Sequence, residues 1–418
     1  MNGVRLCSSP ISGLGGTVLC WAITTATVFV GAVVGVHLVV KANEPLGFLG
    51  SLARIDGRNY QDVAELGYSY QDGVASSVAF FPAFPLAARW LSRMTGMDTV
   101  LSMVLISNTC CLASFVLMGA YLQRRQALPD DLDTGDRCGP HADFGSRPSD
   151  TYALLAMALL PTTVFFRLAY TESMFLCVAL LALYGMVRRW PPIAVALVVG
   201  LATAVRPVAV SLLLPLFWCV WKNSGTKWHA IRRLTYVTPV ACWGLAAYML
   251  FQYCKFGQPF AFALTQKYHR MRPLGTTSDW ILSLLSWEPI RDTYNPASPG
   301  YWQALHYSPS RLFSLEFANP IYLVGFAALI VLGAWKRWLT TYEVLLAVPL
   351  LAISYFTRAY EMRMLSQARF AAVVFPAYIV LGQLLARVFP AVAASLLALS
   401  GLLLGIYAAL FAAGYPFL

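Results

Sequence analysis

Residues 51–85 read SLARIDGRNYQDVAELGYSYQDGVASSVAFFPAFP. The apolar run over 16–40 that precedes them exceeds the roughly 20 residues needed to cross the hydrocarbon core of a bilayer. The quoted stretch therefore starts close to a membrane surface. It places Asp56 there, adds Asp62, Glu65 and Asp72, and closes on an aromatic-proline run over 80–85. Carboxylates beside a membrane with no obvious counter-charge need a reason, and the remainder of the chain has to supply it.

The remainder is membrane-like throughout. Of 418 residues 58% are hydrophobic and 12% charged, about half the charge of an ordinary soluble domain. Apolar runs occupy 16–40, 99–121, 151–168, 172–187, 234–254, 319–335, 340–357, 366–386 and 390–412. The run 192–221 is too long for one crossing and is interrupted by Arg206 and Pro207, so it reads as two short helices that meet near a membrane face. The run 79–92 is short and contains two prolines, which suits an interfacial helix. The expected fold is an all-α polytopic membrane protein of about eleven transmembrane helices. Residues 1–418 then form one integral membrane domain, whose first run stays in place as a signal anchor.

Basic residues orient the spans. Arg124, Arg125, Arg137, Arg147, Arg188, Arg189, Lys222, Lys227, Arg232, Arg233, Lys336, Arg337 and Arg387 all fall on one side, which the positive-inside rule makes cytoplasmic. The segment 122–150, rich in Asp, Gly and Pro, is then a cytoplasmic linker. The opposite face receives the first loop 41–98, the junction 167–172, the turn at Arg206, the second large loop 255–318 and the loop 358–365. The net charge of +11 is spread among these clusters and no basic soluble domain carries it, which excludes nucleic acid as a partner and leaves membrane lipids. The nine cysteines lie mostly in apolar runs without metal-ligand spacing, and the five histidines are scattered, so neither a metal nor another cofactor is expected.

Four positions could carry chemistry, each with a plainer alternative. Asp56 suits a general base at a low-dielectric surface, or a solvated acid paired with Arg54 or Arg58. Glu172 sits between two apolar runs and either faces a cavity or caps the following helix with Thr171. Arg206 either snorkels or binds an anion, and Arg358, Arg363 and Arg369 join it on the same face, a set suited to a phosphate or to lipid headgroups. Trp280, Trp287, Tyr294, Tyr301 and Trp302 in loop 255–318 suit sugar rings or an interfacial aromatic belt.

Taken in order, these segments resemble the GPI mannosyltransferase 2 family and its bacterial relatives, of the GT-C glycosyltransferase class. The first block is Ile55, Asp56, Tyr60, Val63, Ala64, Gly67 and Tyr68, followed by Ala79, Phe80, Phe81, Pro82 and Pro85. The second is Pro161, Phe165, Tyr170, Thr171, Glu172 and Phe175; the third is Gly200, Ala202 and Arg206. Weaker echoes run over 257–266, ending at Gln266, and over 366–376, with Arg369 and Phe370. Ile55 stands where the family has Trp, and Phe370 where Tyr is common. The resemblance implies a GT-C-like helical bundle with interfacial helices in the first non-cytoplasmic loop. It also implies inverting transfer of mannose from a polyprenyl- or dolichyl-phosphate sugar donor to a hydroxyl of a lipid or glycan acceptor. Asp56 would be the base, with Arg206 and Arg369, and less directly Arg358 or Arg363, on the lipid phosphate. Glu172 would orient the acceptor or an arginine, and Tyr60, Phe81, Pro82, Tyr170 and Gln266 would form the substrate loop. A transporter or lipid flippase, and a non-catalytic family member, remain as alternatives. The absence of any Asn-x-Ser/Thr sequon and the short chain point to a bacterial plasma membrane rather than the endoplasmic reticulum.

Overall fold

Proline decides where the apolar runs break. In a computed structural model, which describes residues 14–39, 46–125, 148–270, 272, 276–306 and 315–415, every regular element among the described residues is helical. Most of the linker 122–150, together with Cys7 and Cys138, lies outside the described residues. The run 151–168 becomes an α-helix over Pro148–Leu159 and then a 3-10 segment over Pro161–Phe166. The run 366–386 divides at Pro376 into Gln367–Ala372 and Pro376–Leu385. In both runs the residue before the proline is pushed off helical geometry or the ring removes a helical hydrogen bond, so neither is the continuous span that hydropathy alone suggests. The run 192–221 breaks at Arg206, whose extended backbone (φ −152°, ψ 143°) separates Pro192–Val205 from the 3-10 turn Pro207–Leu212 and the helix Leu213–Lys222.

Five helices among the described residues are long and apolar enough to cross a membrane, or six if Lys227–Ala241 and Trp243–Phe256 are taken as one span bent by 50°. That bend falls just after Pro239, inside what reads in the sequence as a single run over 234–254. The first loop and the loop 255–318 are also more ordered than loops. Asp56–Leu66 and Ala83–Thr95 are helices in the first, and Thr277–Leu285, Glu288–Tyr294 and Pro299–His306 in the second.

Small residues set the closest approaches. Gly31 and Gly35 on Leu14–His37 face Gly405 and Ala409 on Pro390–Ala412, and a Cβ on Gly35 would lie 2.1 Å from the Ala409 carbonyl oxygen. In lipid, such stripes let backbones touch where no hydrophobic force drives helices together. Glu172–Val187 is buried along most of its length against Thr99–Arg125 and Pro192–Val205. Near the expected cytoplasmic side, Arg125 Nη2 lies 2.9 Å from Glu343 Oε2, and Tyr121 donates to Glu343 Oε1 at 2.9 Å. This buried triad fixes Thr99–Arg125 against the start of Thr341–Ser354. The core packing thus brings the starts of Asp56–Leu66 and Glu172–Val187, the break at Arg206 and the short helix Gln367–Ala372 to one place.

Candidate active site

Asp56 is the first residue of its helix, and the residue before it is strained. Ile55 has φ 54° and ψ −110°, a backbone region that a β-branched side chain avoids. The strain is held by docking on both sides. Tyr170 donates its phenol hydrogen to the Arg54 carbonyl at 2.8 Å, Ala169 N donates to the Leu52 carbonyl at 3.1 Å, and Arg54 Nη2 donates to the Ala412 carbonyl at 3.1 Å. Arg54 is thereby occupied elsewhere, and Asp56 takes its cation from a distant part of the chain. Its Oδ2 lies 2.6 Å from Nη1 of Arg369.

Arg369 continues the chain of charge. Its Nε donates to Oε1 of Glu172, and Arg206 Nη1 reaches the same oxygen at 2.9 Å. Asp56, Arg369, Glu172 and Arg206 are therefore one network in which two carboxylates balance two guanidiniums. Glu172 is wholly buried, and its second oxygen, Oε2, has no hydrogen-bond partner among the described residues. Thr171 makes no capping hydrogen bond with its side chain, so the Glu172 carboxylate serves the arginines rather than a reciprocal cap. Aromatic faces back both cations: Arg369 stands 4.7 Å from the Tyr170 ring centroid and Arg206 stands 5.2 Å from that of Phe370.

The network forms part of the wall of a cavity of about 910 Å³, large enough for a glycosyl phosphate headgroup. Of the residues singled out in the sequence, Asp56, Tyr60, Phe81, Arg206, Gln266, Arg358 and Arg369 line it. Glu172 sits behind the arginines. Tyr170 and Pro82 do not line it: Tyr170 lies beneath Arg369, and Pro82 precedes the first turn of Ala83–Thr95. Arg363 is also absent from the lining; its backbone is left-handed (φ 48°) and its side chain lies beside Gly300. The acids Asp62 and Glu65 are exposed on the outer face of Asp56–Leu66, and Asp72 accepts from Tyr268 at 3.4 Å. Among the aromatics of loop 255–318, Trp280 lines the cavity, whereas Trp287 and Trp302 are exposed and suit the interfacial belt.

The cavity also holds residues that sequence reasoning passed over. His269, Arg270, Glu316 and Glu361 line it, and Arg270 Nη2 pairs with Glu361 Oε1 at 2.9 Å. Arg270 and Glu361 gave no signal because an ion pair between two loops has no sequence spacing. Glu316 opens the helix Leu315–Trp335, where a first-turn acid reads as an ordinary partner of the helix dipole. Burial pushes the Tyr60 phenol up to about 12, Asp56 adding to the rise and the two arginines opposing it, so this ring stays a neutral hydroxyl beside the carboxylate. Among the described residues, no three His, Cys, Asp or Glu side chains converge to hold a metal.

Comparison with known proteins finds similarity to two mannosyltransferases over part of the chain. It is similar to GPI alpha-1,6-mannosyltransferase 2 of Cricetulus griseus, 32% identical over 161 residues, and to that of Homo sapiens, 31% identical over 164 residues. Each match covers 38% of this chain and 30% of the relative, so the chain matches under a third of either relative's length. The resemblance drawn from the ordered blocks is borne out by these two relatives. No family model matches. Among solved structures, the chain superposes on ArnT from Cupriavidus metallidurans, bound there to undecaprenyl phosphate, with a TM-score of 0.48 and 14% identity over 90% of this chain and 61% of that one. For the Archaeoglobus fulgidus oligosaccharyltransferase the TM-score is 0.44, at 12% identity over 93% of this chain and 53% of that one.

Proposed function

We propose that this protein is an inverting glycosyltransferase. It would move a sugar, mannose by its relatives, from a polyprenyl-phosphate carrier to a hydroxyl acceptor at the non-cytoplasmic membrane face. The observation that carries this reading is the network Asp56–Arg369–Glu172–Arg206 on the cavity wall. A carboxylate held next to a phosphate-binding pair of arginines is the combination that the transfer needs.

The chemistry balances on these residues. The acceptor oxygen attacks the anomeric carbon as the carbon–oxygen bond to the lipid phosphate breaks. The acceptor proton passes to Asp56 through Oδ1, since Oδ2 is engaged by Arg369. The phosphate leaves with the bonding electron pair, and Arg206, Arg369 and Arg358 stabilise its charge. A lipid phosphate held in this way needs no general acid. Glu172 keeps the two guanidiniums side by side without facing the cavity itself. About eleven crossings with the N-terminus in the cytoplasm, as the Lys and Arg distribution suggests, would put the cavity on the outer face.

The test is transfer by the purified full chain in lipid, supplied with a panel of polyprenyl-phosphate sugars and a native lipid extract, the product being identified by mass. Asp56→Asn is expected to lower kcat by about 10²–10⁴-fold, the usual contribution of a general base, while insertion is kept. Near-normal turnover by that variant would remove Asp56 from the role.

A further inference from the structure

Three carboxylates line the cavity, and two of them hold a cation. Asp56 pairs with Arg369, and Glu361 pairs with Arg270. Glu316 lines the same cavity with neither an ion pair nor a hydrogen bond among the described residues. It is only partly buried, and neither of its carboxylate oxygens is among the polar atoms sealed off without a partner, so both remain accessible.

Glu316 stands at the head of the apolar helix Leu315–Trp335, a candidate span, where an ionisable group ordinarily faces a bundle interior or a water-filled cavity. A carboxylate that merely capped this helix would accept from a backbone N–H at its start, and Glu316 accepts from none among the described residues. The head of the helix is clamped on two sides. The Tyr294 phenol donates to the Phe317 carbonyl at 2.6 Å, and Ala368 N donates to Asn319 Oδ1 at 2.8 Å. Glu316 is therefore carried beside Gln367–Ala372, the helix that bears Arg369, yet pairs with no arginine.

A carboxylate drawn partly out of water without a counter-charge costs free energy, and a ligand that donates to it recovers that cost. A phosphate is repelled by it and suits the arginines instead. Ring hydroxyls are donors, and the two oxygens of a carboxylate can accept from a neighbouring pair of them. On the transferase reading, the sugar donor is anchored through its phosphate at Arg206 and Arg369. A carboxylate that touches none of the Asp56–Arg369–Glu172–Arg206 network is left to serve the other substrate.

We propose that Glu316 is an acceptor-recognition residue whose carboxylate takes hydrogen bonds from ring hydroxyls next to the one that attacks. This deepens the transferase reading and rests on it for the presence of a second, hydroxyl-bearing substrate.

Full-length protein in lipid nanodiscs is titrated with octyl α-D-mannopyranoside below its micelle concentration, and separately with undecaprenyl phosphate. Empty nanodiscs are the blank, and intrinsic tryptophan fluorescence is the signal, since Trp280 lines the cavity. Glu316→Ala is expected to weaken the mannoside about tenfold to a hundredfold, the size of a lost hydrogen bond to a charged group, and to leave undecaprenyl phosphate within twofold. Its melting temperature should equal or exceed that of the wild type, because no partner is stranded and an uncompensated charge is removed. Glu316→Gln, which keeps one acceptor oxygen, should fall between the two in mannoside affinity. Unchanged mannoside affinity in Glu316→Ala overturns the proposal, as does a wild type that does not take the mannoside. A lower melting temperature with both ligands weakened marks a structural role and overturns it too. Wild-type protein that binds the mannoside through Glu316, yet transfers no sugar from any polyprenyl-phosphate donor, leaves a hydroxyl-binding residue and removes the transferase reading. Transfer to the mannoside with an unchanged acceptor KM in Glu316→Ala removes the acceptor role alone.

Discussion

Glu172 has no exposure and two cationic partners on one oxygen, so its charge cannot be removed quietly. Glu172→Ala leaves Arg206 and Arg369 buried with only Asp56 to answer them, and a broken buried pair costs about 3–5 kcal/mol. Melting of the purified variant should show that loss together with lost transfer, in contrast to Asp56→Asn, which should lose transfer with a smaller fall in melting temperature, since Asp56 is partly exposed and an amide oxygen can still accept from Arg369. His269 adds a dependence on pH. Burial, the largest influence, holds its imidazole below the ordinary 6.5; Arg358 pushes the same way, and the Ser76 backbone and Asp56 pull against them. The unfolded chain therefore takes up the proton first as pH falls. The stability contributed by the neutral ring is complete above about 6.5 and is lost as pH drops through that value toward the lower folded pKa. Melting from pH 7.5 to 5 should show a flatter profile for His269→Gln than for the wild type. At this scale much could be read in advance, because Glu172 and Arg206 stand out as ionisable groups between or within apolar runs, and the ordered family blocks single out Asp56 and Arg369. His269 could not, since one histidine in an aromatic loop carries no spacing, and its place depends on Ser76, far away in sequence.

At the scale of elements, hydropathy located the helices well where no proline intervened. Glu172–Val187 and Pro390–Ala412 fall on the apolar runs to the residue. It failed at Pro161 and Pro376, because a hydropathy window cannot register a lost backbone donor. The close crossings are similar. The GAVVG stretch ending at Gly35 has the small-residue spacing for contact, yet only the structure names Gly405 and Ala409 as its partners. A testable consequence lies at Gly244, where an added Cβ would stand 2.2 Å from the Gly200 carbonyl oxygen and 2.7 Å from Ala204 Cβ. Trp243 donates to the Leu197 carbonyl at 3.0 Å in the same crossing, so the helices have no room to slide apart. Gly244→Ala is expected to destabilise by about 1–3 kcal/mol, read as a lower melting temperature, because it forces Trp243–Phe256 away from Pro192–Val205 just above the break that positions Arg206.

For the whole molecule the open quantity is which way it faces. Lys and Arg clusters imply that the loop bearing Asp72 lies outside and the end of Thr99–Arg125 lies inside. In a background where exposed Cys254 is replaced by Ser, a membrane-impermeant maleimide should label Asp72→Cys in intact cells and Arg124→Cys only after permeabilisation. The opposite pattern would turn the cavity toward the cytoplasm. Orientation was open to sequence reasoning because it depends on a sum of charges, whereas the cavity depends on where stretches as far apart as Asp56, Arg206, Gln266 and Arg369 meet.

The shared oxygen of Glu172 gives the site the logic of an interlock. Arg369 holds Asp56 with one nitrogen and Glu172 with another, and Arg206 competes for the same Glu172 oxygen. An anion that draws Arg369 toward itself must slacken its grip on Asp56, while Glu172 turns more fully to Arg206. On the proposed reaction, arrival of the phosphate would loosen the hold on Oδ2 of Asp56 without breaking it, so that one guanidinium couples the presence of the donor to the carboxylate whose Oδ1 takes the proton.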